Sequence, residues 1–110
     1  MTLKEVAQLA ASAGIPWAYD HFDEEPAPPY LVYYYAGEND FIADGENYAN
    51  IRALTFELVT ADKDFDLEDD FEAELRDAGV VWAKSTDYIN DEKVYVTTYE
   101  TEVLINGEQS

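Results

Sequence analysis

Polar and apolar positions along the chain alternate at two different periods, and the switches between them mark the elements. Thr2 and Glu5 have the spacing of a capping box, and Leu3, Val6, Leu9, Ala10 and Ala13 then recur at helical spacing until Gly14 and Pro16 close the pattern. A first helix over residues 3–13 follows. Residues 17–29, WAYDHFDEEPAPP, carry three prolines and four acids, which suits a surface loop or extended arm that Trp17, Tyr19 and Phe22 pin to the body. YLVYYY at 30–35 is β-branched and aromatic, with apolar residues on both faces of a strand, and so predicts a strand covered on both sides. AGENDFIADGENY is rich in Gly, Asn and Asp and reads as a loop of roughly ten residues before a second strand from Tyr48 to Thr60, in which Leu54, Phe56 and Leu58 share one face.

Asp64 or Asp66 can cap a second helix over residues 66–78, where Leu67, Phe71 and Leu75 recur every fourth residue and Gly79 is the stop. VVWAKSTDYI and KVYVTTYETEVLI are β-rich runs separated by Asn90, Asp91 and Glu92, the pattern of an antiparallel hairpin. The closing NGEQS, residues 106–110, is expected to fray. The order is α-β-β-α-β-β, and the expected fold is a single α+β domain over residues 1–110, a two-layer arrangement of one four-stranded, mainly antiparallel sheet and two helices. The last strand sets Tyr95, Thr97, Tyr99, Thr101, Val103 and Ile105 on one face, more than two short helices can cover, which points to an interface on part of the sheet.

Composition narrows the function classes. Six Lys and Arg against 25 Asp and Glu give a formal net charge of −19, yet 47% of residues are hydrophobic and 15% aromatic, so the chain is acidic without the composition of a disordered tail. The bases Lys4, Arg52, Lys63, Arg76, Lys84 and Lys93 are scattered, which argues against direct binding to nucleic acid and against an anionic membrane surface. The N-terminal stretch lacks the continuous apolar segment of a signal peptide, and no run approaches a membrane span. Without cysteine there is no disulfide, thiolate metal site or cysteine nucleophile, which fits a reducing compartment.

Candidate chemistry is sparse. Asp62, Asp64 and Asp66 occupy the first, third and fifth positions of a calcium loop, but Leu67 stands where the turn needs Gly and Ala73 where a bidentate Glu is needed. These acids are better read as favouring a helix N-terminus and lining a solvated face, with Glu72 and Arg76 as a helical ion pair. His21, the sole histidine, sits among Asp20, Asp23, Glu24 and Glu25, which favour its charged form, and it has no second His or Cys to complete a metal shell. The five glycines lie too far apart for a phosphate-binding loop, and no serine has a nucleophile context. The expectation is a protein that is not an enzyme and holds neither cofactor nor metal. Tyrosine, at nine residues, is the unusual count. Tyr33, Tyr35, Tyr48, Tyr95 and Tyr99, with Phe41 and Ile42 in the polar stretch between the first strands, are candidate interface residues; half-buried strand positions are the alternative for the tyrosines.

The stretch PYLVYYYAGENDFIADGENYANIRALTFELVT, followed by ADKDFDLEDDFEAEL and then by Tyr88, Ile89, Glu92 and VYVTTYE, resembles small tail-completion proteins of long-tailed bacteriophages and prophages, relatives of the lambda-type tail terminator. The likeness runs over about residues 1–105. It implies a minor tail protein that forms a ring, typically a hexamer, ends tail-tube polymerisation and joins the tail to the head. Its implied partners are further copies of itself, the major tail tube protein and the head connector or head-completion protein, with no sequence-specific nucleic acid and no membrane. The implied location is the head-proximal end of the virion tail, reached from the host cytoplasm during assembly. In such a ring Glu38, Asp40, Asp44 and Glu46 are candidate acids facing the lumen, where same-sign charge would keep DNA from sticking. The family pattern does not require a net charge of −19, which leaves open an acidic DNA mimic that inhibits a nucleic-acid-binding enzyme; the similar folds of small joining proteins leave open a neighbouring head-completion role.

Overall fold

A computed structural model describes residues 1–43 and 46–105, with the side chains of residues 36–43, 46–52, 104 and 105 left aside. The elements are α1 (Leu3–Ala11), β1 (Trp17–Tyr19), β2 (Tyr30–Ala43), β3 (Glu46–Thr60), α2 (Phe65–Asp77), β4 (Trp82–Ile89) and β5 (Val94–Ile105). They form one five-stranded sheet in the order β1-β2-β3-β5-β4. β1 pairs in parallel with β2, and all other neighbours are antiparallel. The α+β class holds, while the sheet gains a fifth strand and becomes mixed.

Two corrections to the sequence reading concern this sheet. Trp17–Tyr19, expected in an irregular arm, pairs with Leu31–Tyr33 as an edge strand. The Gly- and Asn-rich stretch expected as a long loop is ladder: β2 continues to Ala43 and β3 begins at Glu46, with register shifts between Tyr35 and Gly37 and between Phe41 and Ile42. Such shifts are where extra residues are absorbed into a strand and the pair is locally bent. The long hairpin contributes to an elongated molecule with principal extents of 50 × 27 × 24 Å. Residues 44, 45 and 106–110, including the expected frayed tail, lie outside the described residues.

Both helices begin and end on local signals. At α1, Thr2 Oγ1 accepts the Glu5 N–H at 3.1 Å and Glu5 Oε1 accepts the Thr2 N–H at 2.8 Å, satisfying two otherwise unpaired helix-terminal donors. At α2, Asp64 accepts the Leu67 N–H at 3.0 Å. α2 ends in a Schellman motif: the Val80 N–H donates to the Leu75 carbonyl, the Gly79 N–H to that of Arg76, and Gly79 takes φ +77°. The motif brings Val80 back onto Leu75 in the core.

The core fills the space between one sheet face and the two helices. Leu31 and Tyr33 of β2, Leu54, Phe56 and Leu58 of β3, and Tyr99 and Val103 of β5 meet Val6, Leu9 and Ala10 of α1 and Phe71 and Leu75 of α2. Phe71 stands edge-on to both Phe56 (5.2 Å) and Tyr99 (5.4 Å), an arrangement favoured by the ring quadrupoles. A smaller cluster on the opposite face joins Tyr30, Val59 and Val94, with Phe22 from the arm packed edge-on against Tyr30 at 5.4 Å. The start of β2 is thus covered on both faces, by helices on one and by the Pro-rich arm on the other. Among the described residues, no helix is long and apolar enough to cross a membrane.

Candidate assembly surfaces

Period-two alternation decides which tyrosines remain available. In the row Tyr19–Tyr33–Phe56–Tyr99–Lys84, cross-strand neighbours share the helix-facing side of the sheet. Tyr33 and Tyr99 are buried there within the chain's own core. They are removed from the candidate interface, because parity that points them inward also places them under the helices. Tyr35 is half-buried against the same core, and Tyr95 is half-buried beside Tyr88 with ring centroids 4.9 Å apart. The side chains of Phe41, Ile42 and Tyr48, and those of the acids Glu38, Asp40 and Glu46, lie outside the described residues, as does Asp44 altogether. Their backbone positions, apart from Asp44, fall in the β2–β3 ladder, which pairs Glu38 with Arg52, Phe41 with Ala49 and Asp40 with Asn50.

Two tyrosines, the buried Tyr99 and the half-buried Tyr34, carry their hydroxyls to carboxylates. Tyr99 donates to Glu72 Oε2 at 2.9 Å, and Tyr34, on the opposite sheet face, donates to Glu57 Oε2 at 2.9 Å. Burial, reinforced by these acids, pushes the Tyr34 hydroxyl up to about 12 and raises Tyr99 further. Tyr30 is raised by burial and by Glu25, and Tyr33 by burial and by Tyr19. A tyrosine held neutral next to a carboxylate is a hydrogen-bond donor that positions the acid.

Under α2 the structure builds an ion-pair ladder that the sequence reading misses. Glu68, expected on a solvated face, is 1% exposed and pairs with both Lys63 and Lys84. Lys84 Nζ lies 2.9 Å from Glu68 Oε1 and 2.6 Å from Glu72 Oε2. Burial drives the Glu68 carboxyl up, but the two ammonium groups outweigh it and hold the group below its ordinary value. Burial likewise lowers Lys84, and the Glu72 and Glu68 carboxylates more than reverse it. Glu72 is therefore engaged across the sheet with Lys84 and Tyr99, while Arg76, its expected helical partner, lies over the Trp82 ring at 5.6 Å. The ladder is a structural fastening of α2 to β4 and β5. The available signal in the sequence was Lys84 itself, a lone base within an apolar strand pattern.

Elsewhere the acids are dispersed. His21 has Nδ1 2.9 Å from Asp20 and Nε2 3.6 Å from Asp23, and the hydrogen bond and charge of Asp20 raise its pKa. Asp64 serves as the α2 cap, and among the described residues no group of three or more His, Asp or Glu is placed to hold a metal ion. The Thr101 hydroxyl, next to a surface depression of about 640 Å³ between Thr55, Trp82 and Glu100, donates to the Leu54 carbonyl at 2.9 Å. Among the described residues, the large apolar side chains left exposed are Trp17 and Tyr19 on β1, Phe65 at the start of α2, Val81 just before β4, and Tyr88 and Ile89 at its end.

No family model matches the chain, and no curated protein matches it. Among solved structures, a chain described as part of the "Virion of native gene transfer agent (GTA) particle" matches with a TM-score of 0.61 and 16% identity over 96% of this chain and 89% of that chain. At this identity the likeness is one of fold, and it extends over nearly the whole length of both chains.

Proposed function

We propose that this chain is a structural protein of a phage-like virion, placed at the head-tail junction, where copies form a ring that ends tail-tube polymerisation and joins the tail to the head connector. The observation that carries the reading is the fold shared with a chain of a gene transfer agent virion over 96% of the sequence. The resemblance of the ordered motifs to tail-completion proteins supplies the position within the particle. The role is one of assembly, with no chemistry of its own.

The charge supports the same position. A chain of net charge −19 repels DNA and repels its own copies. In a ring, carboxylates from Glu38, Asp40, Asp44 and Glu46 would act on passing DNA within the screening distance of about 8–10 Å. Between free copies the same repulsion disfavours association until the tube end supplies enough contact to outweigh it.

Immunogold labelling of particles produced by cells that express this chain, with intact virions compared against separated heads and tails, tests the proposal. Label at the head-proximal end and retained on free tails is expected. Label retained only on heads would move the chain to the head-completion side, and its absence from particles, confirmed on denatured virion protein, would overturn the virion role.

A further inference from the structure

Both lateral edges of the sheet are open. β4 ends it on one side with seven of its eight residues exposed, and β1, three residues long, ends it on the other. An open edge is a template for another strand unless shortness, charge, proline or a bulge blunts it; β1, at three residues, offers a short template. β4 contains no proline and pairs with β5 without a register shift. Its Lys84 is held inward by Glu68 and Glu72.

On β1, the Leu31 N–H donates to the Pro16 carbonyl and the Asp20 N–H to that of Tyr33. Strand alternation then directs the Trp17 N–H and carbonyl and the Tyr19 N–H away from β2, toward the open side. The Tyr19 carbonyl is satisfied by the His21 N–H at 2.7 Å.

The exposed apolar side chains gather on these edges. Of the six large hydrophobic residues exposed among the described residues, Trp17 and Tyr19 lie on β1 and Val81, Tyr88 and Ile89 lie on or beside β4. Ladder register places Trp17, Tyr19 and Tyr88 on the same, helix-facing side of the sheet, opposite Leu31, Tyr33 and Tyr95 respectively.

Both edges also carry little charge. Residues 14–19 carry no charged side chain, and residues 80–90 carry only Lys84 and Asp87. Two copies of a −19 chain meet with least repulsion along such seams.

We infer that β4 of one copy pairs with β1 of the next, with Tyr88 packing against Trp17 and Tyr19 across the joint, so that the sheet runs on from copy to copy. This rests on the ring reading above and specifies its interface. β4 runs opposite to β1 within the chain, so copies related by rotation about the strand direction meet antiparallel. Joining two different edges is a heterologous contact, which closes into a ring when the rotation between copies closes.

The absence of cysteine gives a clean test. Ala18→Cys on β1 is combined with Ser85→Cys or Asp87→Cys on β4, positions that alternation sets together on the face away from the helices, and particles assembled with each variant are oxidised and run on non-reducing gels. A ladder of oligomers from the double variants, with none from the single ones, is expected. Tyr88→Glu, at an exposed position that leaves the fold intact by circular dichroism, should lower incorporation into particles at least tenfold. Dimers from Ser85→Cys alone, or no ladder in particles that do contain the chain, would overturn this interface and leave the virion role standing. Absence of the unsubstituted chain from particles would overturn both.

Discussion

Replacing Lys84 by Met isolates the ion-pair ladder from the packing around it, because the aliphatic stem is kept and the ammonium removed. Among the described residues, Glu68, 1% exposed, then keeps only Lys63, and Glu72 only the Tyr99 hydroxyl. Removing one partner of a buried pair costs about 3–5 kcal/mol. The Lys84 side chain is 34% exposed, so water relieves part of that cost and about 2 kcal/mol is the better expectation. For a domain of this size that corresponds to a melting temperature lower by roughly 8–12 °C.

The pH dependence gives a second readout. Glu68 titrates below its ordinary 4.5 in the folded chain, so its contribution is present above that value and is lost as pH falls through the lower folded value. Lys84 titrates above its ordinary 10.5, so its contribution is present below that value and is lost as pH rises through the higher folded one. The gap in urea midpoint between the unsubstituted chain and Lys84→Met should therefore be widest between those limits and should narrow in acid. A loss under about 0.5 kcal/mol at neutral pH, the size of an exposed pair, or a gap that is unchanged in acid, would refute the ladder as a source of stability.

Three further outcomes follow from the same contacts. Asp64→Ala removes the α2 cap and should cost about 1 kcal/mol in urea unfolding, with Asp64→Asn recovering most of it. Phe71→Ala empties the space between Phe56 and Tyr99 and should cost about 3–5 kcal/mol, read as a fall in urea midpoint with the slope unchanged. In a spectrophotometric titration, Tyr30, Tyr33, Tyr34 and Tyr99 should stay neutral past pH 10 and ionise only as the fold is lost. Their raised values stabilise the fold below that pH and withdraw support as pH rises. Ionisation of all nine tyrosines near pH 10 with the fold intact would contradict the burial described.

The helices and the final hairpin were legible because their signals are local. Thr2 with Glu5, Asp64 with Leu67, and Gly79 at positive φ act within one helical turn, and the observed ends of both helices lie within two residues of those read from the pattern. Apolar periodicity likewise named Val6, Leu9, Phe71 and Leu75 as the helix faces, and all four are core.

Pairing with distant segments decided the rest. A three-residue run such as Trp17–Tyr19 has too little sequence to declare itself a strand, and it becomes one because the Pro16 and Tyr33 carbonyls and the Leu31 and Asp20 amides find each other. Gly, Asn and Asp in the residues after Tyr35 spoke for a loop, yet β3 offers a partner at almost every position and the ladder overrides a weak local preference. Tyr99 and Glu68 show the same limit in side chains. Composition could count nine tyrosines and 25 acids, but only the stacking of α2 on β5 and β4 determines that this tyrosine and this acid are inside, because burial is set by which surfaces meet and charge becomes tolerable there only where Lys63 and Lys84 arrive to neutralise it.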